Sequence, residues 1–105
     1  MKIKIDKKII NVKQASSFKD RLIGLMGKKN ITEGLFLPHT RSIHTFFMKD
    51  NIDIIMINKD NKIIYYQKNI KKNKIIIKLK AYSTIELPKN TIDKFNNLRE
   101  IQIIN

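Results

Sequence analysis

Short apolar runs separated by polar turns dominate this chain and predict a mainly β fold. Apolar and polar positions alternate in several runs, as expected for strands that are covered on one face. About seven to nine short strands are predicted, at residues 2–5, 8–12, 34–37, 42–48, 52–57, 62–67, 74–79, 83–87 and 100–104. Short connections and no internal repeat predict a small antiparallel β-barrel or sandwich that forms one domain over residues 1–105.

A single longer helix is predicted over residues 15–26, packed across the barrel. Its apolar positions fall on one face of a helix: Phe18, Leu22, Leu25 and Met26. Ser16 or Ser17 can cap its first turn, and Gly27 follows its last turn, where a left-handed residue is favoured. Gly24 lies inside that turn and predicts close approach to another backbone. Residues 91–97 predict one further helical turn, with Thr91 as its cap.

Asp53 is the most informative polar residue. The run at 52–57 is apolar at every other position, which predicts a central strand covered on both faces. A carboxylate there is at least partly buried and therefore needs partners. Candidates are Arg21, Arg41, a pair of backbone N–H groups, or the hydroxyl of Thr45 or Tyr82. Asp53 is either a structural clamp or a ligand-binding or general-base carboxylate at a pocket rim.

The net charge of +13 is typical of a polyanion binder, but the composition weakens that interpretation. Only 3 of the 22 basic residues are Arg, and Lys, Ile and Asn together make up 52 of the 105 residues. All three have A/T-rich codons, so biased coding could produce this charge without selection for binding. The basic residues that could contact a polyanion are Lys68, Lys71, Lys72, Lys74, Lys78 and Lys80.

Three segments resemble the DUF192 family, also called UPF0127. They are Arg-Leu-Ile-Gly-Leu-Met-Gly at 21–27, Ile-His-Thr-Phe-Phe-Met at 43–48 followed by Asn-Ile-Asp at 51–53, and Ala-Tyr-Ser-Thr-Ile-Glu-Leu-Pro at 81–88. The resemblance runs from about residue 15 to the C-terminus and implies a small β-rich domain with a barrel or sandwich core. It implies no activity. Asn51 stands where many relatives have Pro, and Lys89-Asn90 replaces a frequent Gly.

The predicted site is a polar cleft between the helix and the central strands, for a small ligand or a protein partner. Its residues lie within apolar elements and on the segments that carry the resemblance: Arg21, His44, Asp53, Tyr82 and Glu86. Arg21 or Glu86 is expected to tie the helix to the barrel. The role is predicted to be non-catalytic, because neither a nucleophile elbow nor a Gly-rich phosphate loop is present.

Two alternatives remain open from the sequence. One is salt-sensitive binding of nucleic acid or another polyanion through residues 68–80. The other is a small hydrolase or isomerase that uses Asp53 and His44. No metal or cofactor is predicted, because the chain has no Cys and the spacing of His39 and His44 is not a recognised ligand spacing.

The location predicted from the sequence is the cytoplasm. The first residues lack the apolar stretch of a signal peptide, and no apolar run reaches the ~20 residues that a membrane span needs. Many relatives of the family are exported behind a signal peptide. An envelope role is therefore not carried over from the resemblance.

Overall fold

The computed structural model describes residues 1–15, 17, 24–27 and 31–104. Nine strands lie in these ranges, which confirms the mainly β prediction. In chain order they are β1 Lys2–Ile5, β2 Lys8–Gln14, β3 Gly34–Leu37, β4 Ser42–His44, β5 Ile52–Ile57, β6 Ile63–Ile70, β7 Ile75–Ile77, β8 Ser83–Pro88 and β9 Ile101–Ile104. A 3-10 helix at Ile92–Lys94 precedes β9. No helix in these ranges is long and apolar enough to cross a membrane.

Seven strands form one curled, half-barrel sheet in the order β6-β5-β8-β3-β2-β1-β9. Neighbouring strands run antiparallel except for β2 and β3, which are parallel. The curl brings the beginning of β6 beside the beginning of β9, where Lys62 and Glu100 form a bridge. The remaining two strands, β4 and β7, pair with each other as a separate antiparallel ribbon.

The central strand β5 is buried at all six positions, as its apolar pattern predicts. Its two faces contribute to two separate cores. Ile55 and Ile57 pack in the first core with side chains of β1, β8, β9 and the 3-10 helix. Ile54 and Met56 pack in the second core, which the β4–β7 ribbon covers with Ile43. The sheet is therefore covered on both faces at its centre, although only one main sheet is present.

The predicted helix at 15–26 is not supported. Residues 16 and 18–23 lie outside the described residues, but the last part of the prediction can be compared with the structure. Residues 24–27 form a turn in which Gly24 and Gly27 have φ of +55° and +77°. Gly24 lies inside the predicted helix, and a left-handed residue cannot belong to a right-handed helix, so no helix reaches Met26. The left-handed Gly27 agrees with the conformation expected after the helix.

Several predicted strands differ from the observed ones at their ends, and the two largest differences concern β4 and β6. The strand predicted at 42–48 ends at His44, because Thr45 leaves the strand to bond with the loop before β7 and Phe47 has φ of +63°. The strand predicted at 62–67 continues to Ile70 in β6, so Lys68 belongs to a strand rather than to the segment after it. A bulge opposite Asp53 makes this extension possible.

The helical turn predicted at 91–97 is present as the 3-10 helix. Thr91 occupies its N-cap position, as predicted, but its side chain makes no capping hydrogen bond. The hydroxyl of Thr91 donates instead to the carbonyl of Pro88, at 2.6 Å. The first N–H of this helix is satisfied from elsewhere in the fold.

Candidate functional site

Asp53 joins three elements of the fold through its carboxylate. Its Oδ1 accepts a hydrogen bond from the backbone N–H of Asn69 at the β6 bulge, at 2.8 Å. Its Oδ2 accepts one from the backbone N–H of Ile92 at the start of the 3-10 helix, also at 2.8 Å. Asp53 is fully buried, where the sequence predicted at least partial burial. A pair of backbone N–H groups thus provides the partners that a buried carboxylate requires.

Glu86 has a corresponding position on the opposite face of the sheet. It lies on β8 opposite Leu35 and Ile54, among the apolar side chains of the second core. Its Oε1 accepts a hydrogen bond from the backbone N–H of Leu25, at 3.0 Å. Burial raises the pKa of Glu86 to about 7, and the hydrogen bond from Leu25 offsets part of that rise. Glu86 therefore ties the turn at 24–27 to the sheet and titrates near neutrality.

Gly24 contacts this carboxylate closely. A Cβ at Gly24 would lie 2.6 Å from Oε1 of Glu86, so any side chain at this position would have to displace the carboxylate. The close approach predicted for Gly24 is thus to an acidic side chain rather than to a backbone. The left-handed φ of Gly24 adds a second reason for glycine at this position.

His44 and Tyr82 lie at the periphery rather than in a cleft with the carboxylates. The His44 ring is on β4, stacked on Phe46 with 5.3 Å between ring centroids. Its Nδ1 is buried and has no hydrogen-bond partner in the part of the chain that is described. Tyr82 makes an edge contact with the ring of His39, at 4.7 Å, and Lys59 lies over its ring.

The predicted site residues do not all meet in one place. Asp53 and Glu86 belong to adjacent strands, but their register puts them on opposite faces of the sheet, in different cores. The fifth predicted residue, Arg21, lies outside the described residues. Among those that are described, no group of three or more His, Asp or Glu side chains could hold a metal ion. A ligand role for these residues stays a prediction.

The six lysines of the alternative prediction divide into two groups. Lys68 forms an ion pair with Asp93 at 2.8 Å, and this hydrogen bond raises the pKa of Lys68. Lys78 lies over the ring of Tyr65, 4.2 Å from its centroid. The other four are exposed and have no ion pair within the described ranges: Lys71, Lys72, Lys74 and Lys80.

These four lysines flank an apolar surface that the sequence interpretation missed. On β7, Ile76 packs toward the second core, whereas Ile75 and Ile77 point outward. Leu79 and Phe47 are also exposed. We call the combined set the ribbon surface; it consists of Phe47, Lys71, Lys72, Lys74, Ile75, Ile77, Leu79 and Lys80. The run of three isoleucines at 75–77 was the available signal, because successive side chains of a strand point to opposite faces, so a strand covered on one face leaves the others exposed.

With this geometry, the protein is a small β domain that consists of one seven-stranded sheet and a two-stranded ribbon, with two buried carboxylates that accept hydrogen bonds from backbone N–H groups. The sequence model of the DUF192 family, described as "Uncharacterized ACR", matches residues 1–100. The chain therefore belongs to the DUF192 family, as the resemblance predicted. No curated protein is significantly similar to it.

Two solved structures share the fold. One is a protein of unknown function from Novosphingobium aromaticivorans, with a TM-score of 0.83 and 11% identity, covering 98% of this chain and 84% of that one. The other, from Sinorhizobium meliloti, is described as a "putative transcription regulator"; its TM-score is 0.80 and its identity 16%, covering 96% of this chain and 89% of that one. At these identities the likeness concerns the fold alone.

Proposed function

We propose that this protein is a non-catalytic binding module that recognises an anionic partner through the ribbon surface. The observation that carries the proposal is the composition of this surface. Four exposed lysines and four exposed large apolar side chains occupy β7, its two flanking loops and the turn after β4. Exposed apolar side chains that cluster beside unpaired charges are typical of a surface that meets a partner.

The buried carboxylates support a non-catalytic role. Both oxygens of Asp53 accept backbone hydrogen bonds, and Glu86 accepts one from Leu25. A general base must lie within hydrogen-bond reach of its substrate, and both carboxylates are buried. The hydrolase or isomerase alternative requires a substrate to reach the buried carboxylate of Asp53 and to contact His44 as well. Binding of a small ligand by Arg21, His44, Asp53, Tyr82 and Glu86 is the remaining alternative.

Nucleic acid is one anionic partner that the exposed lysines could contact. The description of the Sinorhizobium meliloti protein as a "putative transcription regulator" makes duplex DNA a useful probe. Lysine contacts to phosphate bind without sequence preference and weaken steeply with salt. Duplex DNA therefore belongs in the test as one of the anionic probes.

The test compares two variants of equal net charge by the salt needed to elute them from immobilised heparin. One variant replaces the four free lysines of the ribbon surface: Lys71→Gln, Lys72→Gln, Lys74→Gln and Lys80→Gln. The matched control replaces four exposed lysines of the β1–β2 region and the 3-10 helix: Lys2→Gln, Lys7→Gln, Lys13→Gln and Lys94→Gln. We expect the ribbon variant to elute at much lower salt than the control. Equal elution of both variants would mean that net charge alone binds heparin, and would refute a dedicated surface.

A thermal-shift screen separates this proposal from the small-ligand alternative. The panel contains divalent metals, nucleotides, sugars, short RNA and duplex DNA, at about 50 mM and about 150 mM salt. A salt-insensitive shift by one small molecule, lost in Asp53→Asn but not in the ribbon variant, would favour the polar residues over the ribbon surface. A shift caused only by polyanions and lost with the ribbon lysines would support our proposal.

A further inference from the structure

We propose that the anionic partner is the surface of a phospholipid bilayer, on which the ribbon surface lies with its apolar side chains among the lipid headgroups. This inference rests on the proposed function and names the partner. In this arrangement the apolar side chains that enter the membrane interface are Phe47, Ile75, Ile77 and Leu79. The four exposed lysines of the ribbon surface are attracted to the lipid phosphates.

The apolar part of the argument begins with the register of the ribbon. Ile43 and Ile76 are directly opposite each other in the β4–β7 pair, and both face the second core. The side chains on the other face of β7 are consequently uncovered: Ile75 is 62% exposed and Ile77 is 57% exposed. Leu79, at the turn after β7, is 76% exposed. Three large aliphatic side chains thus face solvent within five residues.

Phe47 provides an independent observation. Its ring is 77% exposed, so no core packing accounts for it. Its φ of +63° is unfavourable for a bulky side chain, which would relax to an ordinary conformation if the turn allowed it. The turn is held on both sides, since Met48 N–H donates to the carbonyl of Thr45 and Gly27 N–H donates to that of Phe47. The fold thus maintains an exposed aromatic ring at a conformational cost, which is typical of functional positions.

The turn that carries Phe47 is joined to the basic loop before β7. The hydroxyl of Thr45 donates to the carbonyl of Lys71 at 2.7 Å and accepts from the N–H of Lys74 at 2.9 Å. The backbone N–H of Thr45 also donates to the carbonyl of Lys74. With a further hydrogen bond from the N–H of Asn73 to the carbonyl of Thr45, four hydrogen bonds hold the two loops side by side. Phe47 therefore belongs to one structural unit with Lys71, Lys72 and Lys74.

The chemistry of this unit favours lipid over single-stranded nucleic acid and fits an anionic membrane surface. Three of its four apolar side chains are aliphatic and cannot stack on bases, which is how single-stranded nucleic acid is held. All four of its charges come from Lys, as do 19 of the 22 basic residues of the chain, so the choice of Lys over Arg is not specific to this surface. Lysine with Phe, Leu and Ile is the combination found where peripheral proteins contact anionic membranes, because long lysine stems reach the phosphates while apolar groups enter the interface.

The test is co-sedimentation with phosphatidylcholine vesicles that contain about 30% phosphatidylglycerol, compared with vesicles of phosphatidylcholine alone. We expect binding to the anionic vesicles only. The ribbon variant, in which the four lysines are replaced, should have a partition coefficient at least about a hundredfold lower, since each lysine raises binding to an anionic surface about fivefold. Insertion can be followed directly, because the chain contains no Trp. In Phe47→Trp, contact with lipid should shift the emission to the blue.

Matched substitutions separate insertion from electrostatic attraction. Ile77→Ser and Ile9→Ser each remove an isoleucine that is 57% exposed, but Ile9 lies on β2, outside the ribbon surface. We expect Ile77→Ser to weaken vesicle binding about fivefold to tenfold and Ile9→Ser to leave it unchanged. Phe47→Asn should weaken it to a similar extent, and Asn tolerates the left-handed backbone, so loss of binding there would not reflect unfolding.

The outcomes distinguish this inference from the proposed function. Binding to heparin or duplex DNA through the ribbon lysines, with no binding to vesicles, would overturn the lipid assignment and leave the proposed function intact. If the wild-type protein bound neither heparin, duplex DNA nor vesicles, both the lipid assignment and the proposed function would be overturned. Vesicle binding that is unaffected by Ile77→Ser and Phe47→Asn, with no blue shift in Phe47→Trp, would overturn insertion, because attraction by lysine alone would then account for it.

Discussion

Glu86→Gln tests the energetic cost of the acidic side chain in the second core. In the folded protein burial raises the pKa of Glu86 from its ordinary 4.5 to about 7. The folded state therefore binds this proton more tightly than the unfolded chain does. The stabilisation from protonated Glu86 is complete below pH 4.5 and is lost as the pH rises to about 7.

The size of the effect follows from the two pKa values. At about 1.4 kcal/mol for each pKa unit, the shift from 4.5 to about 7 corresponds to about 3 kcal/mol. Gln is neutral at every pH, and its Oε1 can still accept the hydrogen bond from the N–H of Leu25. We therefore expect the free energy of unfolding of the wild type, relative to Glu86→Gln, to fall by about 3 kcal/mol between pH 4 and pH 8.

The assay is urea unfolding of both proteins at a series of pH values, followed by circular dichroism. Glu100→Gln serves as a control, because Glu100 is exposed and its pKa is lowered by the hydrogen bond from Lys62. The stabilisation from ionised Glu100 depends on pH in the opposite way: it is present above the ordinary pKa of Glu and is lost as the pH falls. Parallel pH curves for the wild type and Glu86→Gln would refute the reasoning, because Glu86 would then titrate alike in the folded and unfolded chain.

The remaining predictions concern stability and are all measurable by urea unfolding. Gly24→Ala and Gly27→Ala both place a side chain at positive φ, but only the Cβ at Gly24 meets Glu86, whereas none of the described atoms lies within 4 Å of a Cβ at Gly27. Gly24→Ala should therefore lower the free energy of unfolding by about 1–2 kcal/mol more than Gly27→Ala does, and an equal loss in both variants would contradict the contact with Glu86. Asp53→Asn should cost about 2–4 kcal/mol, because its NH₂ group would face a buried backbone N–H; an unchanged midpoint would contradict the clamp. Phe47→Asn should stabilise the fold by about 1 kcal/mol, and a destabilisation would show that the exposed ring has a packing role.

Several features of the fold were predictable because they depend on local pattern. The apolar runs at 34–37 and 52–57 predicted β3 and β5 with the limits that the structure has. The burial of Asp53 followed from its position in such a run. The strands predicted at 2–5 and 8–12 leave only Asp6 and Lys7 between them, and both residues have the positive φ of a tight hairpin turn. In each case the residues themselves and their immediate neighbours contain the signal.

The wrong predictions concern segments that distant contacts decide. The alternation at 42–48 is compatible with one strand, but hydrogen bonds from Thr45 to the loop before β7 end that strand at His44. The spacing of apolar residues at 18–26 is compatible with a helix. Residues 24–27 form a turn instead, with the N–H of Leu25 held by Glu86, which is 61 positions further along the chain.

By itself, the sequence determined the β class, the approximate strand positions and the family, because alternation and short motifs are local properties. The tertiary structure alone decided which face each polar side chain occupies. Asp53 and Glu86 lie on adjacent strands but in opposite cores. The sequence could not show this, because a period of two identifies which residues of one strand share a face but does not give the register between strands. In the same way, only the packing of the β4–β7 ribbon decided that Ile76 is covered and that Ile75 and Ile77 stay exposed.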